Sequence, residues 1–204
     1  MEKMSKKPLQ QRSQQRMEKA INSAILLIEN IPLDQISIPE IAKHSDVPRS
    51  SIYQFFPTLT SLLNEVTQRQ LQLLIEELQK NIIEYYSMSI FDILKDLISK
   101  TSMFYNNNHV ASVLILNGSM SQESYNAQQT TIQIIAKNIV LMLGSIREPI
   151  YIPQEDYTIE HLVEITFSLM KNSYFKNGEI CLDIEQDIFD ICRLYLNFKG
   201  FIQT

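Results

Sequence analysis

Residues 45 to 57, SDVPRSSIYQFFP, gather one guanidinium, several hydroxyls and one carboxamide into a short stretch. Arg49, Ser50, Ser51, Tyr53 and Gln54 are hydrogen-bonding side chains, and none of them is paired with a base or a nucleophile. Nothing elsewhere supplies a catalytic set. There is no carboxylate pair at a working spacing, no nucleophile beside a base and no glycine loop to cradle a phosphate. His44, His109 and His161 are scattered, and Cys181 and Cys192 stand eleven residues apart, which is not metal spacing. No catalytic activity, cofactor or metal is therefore expected. The two cysteines read as free, buried thiols in a reducing cytoplasm.

The elements that position the cluster are helical. Apolar residues recur at three- and four-residue spacing almost throughout, and no strand alternation of useful length is present. A first helix carries Met17, Ile21, Ala24 and Ile28 on one face and ends near Asn30 and Pro32. Ser37 and Glu40 form a capping box, flanked by Ile36 and Ile41 as a hydrophobic staple, and Pro39 falls in the first turn. That second helix stops near His44. A third opens at Pro48 and ends at Phe56-Pro57, and Thr58 caps a long fourth helix running through Leu78 and Ile82. Further helices are expected over about 90–105, 110–116, 132–143, 158–175 and 183–199. The pattern breaks at NGSMS, residues 117–121, and at GSIREPIYIPQED, residues 144–156.

Composition bounds the rest. The chain has 204 residues, 45% of them apolar, and only four glycines, which suits an all-α fold with real cores. The net charge of −5 is uneven: Lys3, Lys6, Lys7, Arg12 and Arg16 face only Glu2 before Met17, while the body is acidic. Two readings fit a basic tip, an end that meets phosphates and a solubilising tail. The opening thirty residues are charged and Gln-rich at the start, with no apolar block ending in small residues, so no signal peptide is expected, and no apolar run is long enough to span a membrane.

Residues 37–56 thus read as helix, tight turn, helix, with Ile38, Ile41, Ala42, Val47, Ile52 and Phe56 inside. This is the pattern of a helix-turn-helix, whose second helix enters the DNA major groove. Arg49 can be bidentate to guanine and Gln54 can pair with adenine. Ser50, Ser51 and Tyr53 offer hydroxyls to phosphates or bases, and Ser37 and Thr58 are caps that can also meet phosphate. Each has a plainer alternative: Tyr53 packing on the first helix, Arg49 as a solvated charge near Asp46, the serines as helix-start residues.

Residues 37–66, SIPEIAKHSDVPRSSIYQFFPTLTSLLNEV, resemble the signature of TetR-family transcriptional regulators, with SI..IA, then V, then IY..F, then LL aligned without a gap. The first helix, the helix count of about nine and the chain length resemble that family too. The sequence departs from it at Asp46, where the family usually has glycine, and at Pro48, where a hydroxyl residue usually caps. It departs again at Phe55 and Leu59, which stand in place of a histidine and a lysine that touch DNA backbone. The resemblance implies an all-α fold, with a helix-turn-helix domain over residues 1–57 and a ligand-binding and dimerising domain over 58–204. It implies a double-stranded DNA operator, a small-molecule effector and a cytoplasmic homodimer acting as a repressor. Candidates for the ligand pocket are Tyr85, Phe104, Tyr105, His109, Leu114, Asn117, Met120 and Tyr125, residue types common in small-molecule sites. The last two helices are apolar on more than one side, so Leu162, Ile165, Leu169, Ile188, Ile191 and Tyr195 are candidates for the dimer interface. The rival reading is a helical protein-interaction module that does not read DNA sequence.

Overall fold

The computed structural model describes residues 7–80, 82–116, 122–146, 149–153 and 156–202. Among these, every regular element is helical: α1 (Lys7–Asn30), α2 (Ile38–Ser45), α3 (Arg49–Phe55), α4 (Leu59–Gln79), α5 (Ile82–Tyr85), α6 (Ile90–Asn107), α7 (His109–Ala111), α8 (Gln122–Leu143), α9 (Thr158–Asn177) and α10 (Leu182–Phe198). A single 3-10 turn, Leu33–Gln35, joins α1 to α2, and α7 runs on into a π-helical turn, Ser112–Leu116. The all-α class read from the sequence is what the chain adopts.

Two elements differ from the sequence reading. The fourth helix stops at Gln79 and a short α5 follows, which raises the number of helices to ten among the described residues. The apolar period runs through Ile82 without a break, so nothing in the pattern marks that interruption. The helix expected over 110–116 is mostly a π turn, whose wider ring the 3.6-residue period does not distinguish from an α-helix.

The chain divides into two compact units, Met1–Gln70 and Leu71–Thr204. The division falls inside α4, and the expected boundary at 57/58 lies at the start of that same helix.

In the first unit α1 packs on α2 and α3, and α2 packs on α3. Ala20, Ile21, Ala24 and Ile28 of α1 are buried against Ile38, Ile41, Val47, Ile52 and Phe56. Leu62 and Val66 of α4 complete this core. Fully burying one such isoleucine is worth about 1.5–3 kcal/mol. The helix ends are held by the residues the sequence marks. Ser37 Oγ accepts from the Glu40 N–H at 3.3 Å. Thr58 Oγ1 accepts from the Ser61 N–H at 3.0 Å, and Ser61 Oγ accepts in return from the Thr58 N–H at 3.2 Å. Buried Ser23 on α1 ties α2 in place, 2.9 Å from His44 Nδ1.

In the second unit α9 packs on α8, α10 and the π turn, and α10 packs on α6. Tyr85, Ile93, Leu116, Leu143, Met170 and Ile188 are its largest buried side chains, with Leu74 of α4 among them. The turn between α9 and α10 is clipped from the side by one carboxamide. Asn106 Nδ2 donates to the Ile180 carbonyl at 2.9 Å, and Asn106 Oδ1 accepts from the Ile180 N–H at 2.8 Å. Ser173 Oγ accepts from the Cys181 N–H and donates to the Glu179 carbonyl at the same turn. Gly178 closes α9 at φ 76°, a left-handed conformation that glycine adopts without strain.

Candidate functional site

The α2–α3 pair is a helix-turn-helix built on one left-handed residue. Asp46 has φ 55° and ψ 34°, the single described non-glycine residue with positive φ. A short polar side chain tolerates this geometry better than most, though not as well as glycine. Ser45 stabilises the approach: its Oγ donates to the Ile41 carbonyl at 2.7 Å and accepts from the Val47 N–H at 3.3 Å. Pro48 then sits at the helix start with no side-chain cap, its fixed φ of −54° already helical.

The period of α3 sorts its side chains. Arg49, Ser50, Tyr53 and Gln54 share one exposed arc, with Tyr53 48% accessible. Ser51 and Ile52 point inward. Ser51 is only 8% exposed, so its place beside Ser50 in the sequence does not put its hydroxyl on the same surface. At about 100° per residue, a neighbour in the chain turns to a different side of the helix. Ser37 is half-buried at the start of α2 and Thr58 exposed at the start of α4, and both hydroxyls are engaged as caps. Phe55 is half-buried, its ring set edge-on to Phe56 at 6.4 Å between centroids.

The charges around α3 are uncommitted. Arg49 and the exposed Lys43 take part in none of the ion pairs found among the described residues, nor do Arg12 and Arg16. Lys43 was missed in the sequence. It lines a shallow hollow with Pro39, Asp46 and Arg49, and its position on the last turn of α2 was the available signal.

The second unit contains a cavity of about 100 Å³ enclosed by α4, α6, α8, α9 and α10. Its wall is almost wholly aliphatic, Leu74, Leu97, Ile139 and Met170 among it, with Thr101, Tyr105, Thr166 and Cys192 as the polar exceptions. Burial holds the Tyr105 phenol in its neutral form, and burial pushes the Cys192 thiol up to about 11. Of the residues expected around a ligand, Tyr105 alone lies on this wall. Tyr85 is buried but turned to Asp96 and Lys100, hydrogen-bonding to the first and accepting from the second at 3.2 Å. Phe104 packs edge-on to Tyr105, Leu114 is half-buried in the π turn, and His109 and Tyr125 are exposed. Asn117 and Met120 lie outside the described residues. The cavity is bounded by helix interiors, whereas Tyr85, His109 and Tyr125 stand at or near helix ends.

The dimer candidates also divide. Leu162 lines the cavity and Ile188 is fully buried, so both side chains pack within the chain's own core. Ile165, Leu169, Ile191 and Tyr195 are half-buried. Leu194 and Phe198, at 58% and 84% exposure, continue the Ile191 stripe along α10 and were not foreseen.

The sequence matches no protein-family model and no curated protein. Solved structures are similar to it. A TetR-family transcriptional regulator from Streptomyces coelicolor aligns over 90% of this chain and 98% of its own, at 16% identity and a TM-score of 0.63. A TetR transcriptional regulator from Rhodococcus sp. RHA1 aligns over 92% and 97%, at 20% identity and a TM-score of 0.62. The transcriptional regulator FadR from Bacillus subtilis, solved in complex with stearoyl-CoA, aligns over 86% and 96%, at 15% identity and a TM-score of 0.64. With its helix-turn-helix unit followed by a larger helical unit, this chain has the fold of the TetR-family transcriptional regulators.

Proposed function

We propose that this chain is a DNA-binding transcriptional regulator, a cytoplasmic homodimer that represses from a near-palindromic operator and is released by a small molecule. The observation that carries the reading is the exposed arc of α3. Arg49, Ser50, Tyr53 and Gln54 stand together on the second helix of a helix-turn-helix, and no ion pair among the described residues involves Arg49. A guanidinium and a carboxamide are the groups that pair bidentately with guanine and adenine, and hydroxyls serve phosphates. Lys43 and Arg49 add positive charge beside the same face, and Arg12 and Arg16 add more on α1.

A two-fold pairing through the exposed stripe of α10 and its neighbours on α9 would present two copies of α3. Readers of this kind work with centres about 34–36 Å apart, one turn of DNA, which is why the operator is expected to be a near-palindrome. The stearoyl-CoA bound to Bacillus subtilis FadR supports a small-molecule effector here as well. The cavity touches Leu74 and Leu78 of α4, the helix whose first half belongs to the DNA-binding unit. An occupant that favours another setting of α4 shifts the population away from the DNA-competent state.

The test is fluorescence anisotropy with duplexes from the region flanking the gene, across a salt series, with Arg49→Ala and Tyr53→Phe alongside. Saturable, salt-steep binding to one palindromic fragment, weakened in both variants, supports the regulator. Failure with these fragments and with an exhaustive random-duplex selection would leave the helical interaction module as the better reading.

A further inference from the structure

A second, smaller cavity adjoins the first. It measures about 40 Å³, lies against α4, α5, α6 and α8, and reaches the surface beside the exposed residues Gln79 and Ile82. Leu78, Leu97, Ile135 and Ile139 line both cavities, so the two share a wall of aliphatic side chains. No described residue on either wall is charged.

The polar groups on these walls sort by depth. At the inner end Thr101 Oγ1 already donates to the Leu97 carbonyl at 2.7 Å, and Thr166 Oγ1 lies 4.0 Å from Cys192 Sγ. These two hydroxyls are engaged within the chain, and Tyr105 is the other hydroxyl-bearing side chain on the larger wall, buried among aliphatic side chains. At the outer end two carboxamides face each other across the mouth, Gln79 Nε2 donating to Asn138 Oδ1 at 3.0 Å. A cavity with so apolar a wall favours hydrocarbon over water. Two small cavities in line, joined through aliphatic side chains, suit a narrow occupant better than a compact one.

We propose that the paired cavities are the site for one unbranched aliphatic chain bearing a hydrogen-bonding head, the chain lying inward past Leu97 and Ile139 and the head at Gln79 and Asn138. A head group there competes for the Gln79–Asn138 hydrogen bond, which joins the last turn of α4 to α8. Ligand binding therefore acts on the end of α4 directly. The role of this event in releasing DNA rests on the function proposed above, whereas the binding itself does not.

The experiment is calorimetry on the full chain without DNA, using 1-hexanol, 1-octanol, 1-decanol and the compact alcohol 1-adamantanol. One site per chain is expected, tightening roughly fourfold for each added methylene, with 1-adamantanol not bound. Ile139→Trp fills the shared wall and weakens 1-octanol by about tenfold or more. Asn138→Asp alters only the mouth, and it raises the preference for octylamine over octanoate by about threefold. No saturable binding, an affinity flat with chain length, equal binding of 1-adamantanol, or an unchanged head preference in Asn138→Asp would each overturn the site. Octanol binding without release of an operator duplex would retain the site and remove its effector role, so the two readings fail separately.

Discussion

Arg69 on α4 and Glu18 on α1 form a two-pronged pair: Nη1 and Nη2 each lie 2.7 Å from a different carboxylate oxygen of Glu18. Arg69 Nε donates to Glu65 at 3.0 Å, one turn back on its own helix. The planar fork of arginine suits this arrangement, which a lysine point charge cannot reproduce. The hydrogen bond from Arg69 holds the Glu18 carboxyl below its ordinary value. A carboxyl lowered by folding contributes stability above its unfolded-state value, and the contribution is lost as pH falls through the folded one. Both side chains are about a third exposed, so solvent limits the worth of the pair. A double-mutant cycle of Glu18→Gln and Arg69→Met should give a coupling of about 0.5–1 kcal/mol at neutral pH. The coupling should vanish in acid and shrink with salt. Urea unfolding at several pH values checks this, and a coupling that survives at acid pH would contradict it.

Asp46 offers a sharper test of backbone chemistry. At φ 55° a Cβ is tolerated at some cost, and a β-branched one is tolerated poorly. Asp46→Gly should keep or slightly raise the melting temperature. Asp46→Val should cost about 1–2 kcal/mol and weaken duplex binding by misaligning α3. Thermal unfolding with parallel anisotropy decides the matter, and equal stability of the two variants would mean the turn is not the constraint described.

Asn106 makes two backbone hydrogen bonds to the buried Ile180, and alanine can make neither. Asn106→Ala should destabilise the second unit by about 1–3 kcal/mol, because buried backbone groups are left unsatisfied. Amide exchange at Ile180 should rise with it. Protection at Ile180 equal to wild type would show that water replaces the side chain at no cost.

Leu194 and Phe198 are large apolar side chains left in solvent on α10. If the proposed homodimer pairs through this stripe, Leu194→Ser with Phe198→Ser should loosen it by about tenfold or more, given the usual weight of a few central apolar residues in an interface. The fold should be unaffected. Sedimentation equilibrium over a concentration series reads this directly. An unchanged dimer constant would place the interface elsewhere.

Cys192 and Cys181 should differ in reactivity. Cys192 is buried on the cavity wall with its thiol pushed up to about 11, and Cys181 is half-exposed. A thiol reagent at pH 8 should modify Cys181 quickly and Cys192 only after opening of the unit, because the thiolate is the reacting form. Two equal fast phases would show that the cavity admits the reagent freely.

The first unit was legible because its signals are local. Ser37 and Glu40 name a cap, and the polar Asp46 before Val47 and Pro48 names a turn. The period of α3 places Ile52 inside, and strict use of it would also have turned Ser51 inward. The second unit was legible as helices but not as a site. A leucine that lines a void and a leucine packed on all sides look the same in a sequence, so Leu97 and Ile139 gave no sign. Leu162 and Ile188 belong to helices that are apolar on two sides, and periodicity does not say which side meets the chain's own core.

The Asn106 clip also gives the protein a chemical age. Spontaneous hydrolysis of that one carboxamide yields an aspartate at the same place. The Nδ2 donor to the Ile180 carbonyl disappears, and a carboxylate oxygen then faces the carbonyl oxygen it used to hold. A stored sample in which this reaction has gone forward would carry a loosened α9–α10 turn with no change in its gene. Its history would be recorded as one added mass unit in the peptide that spans α6.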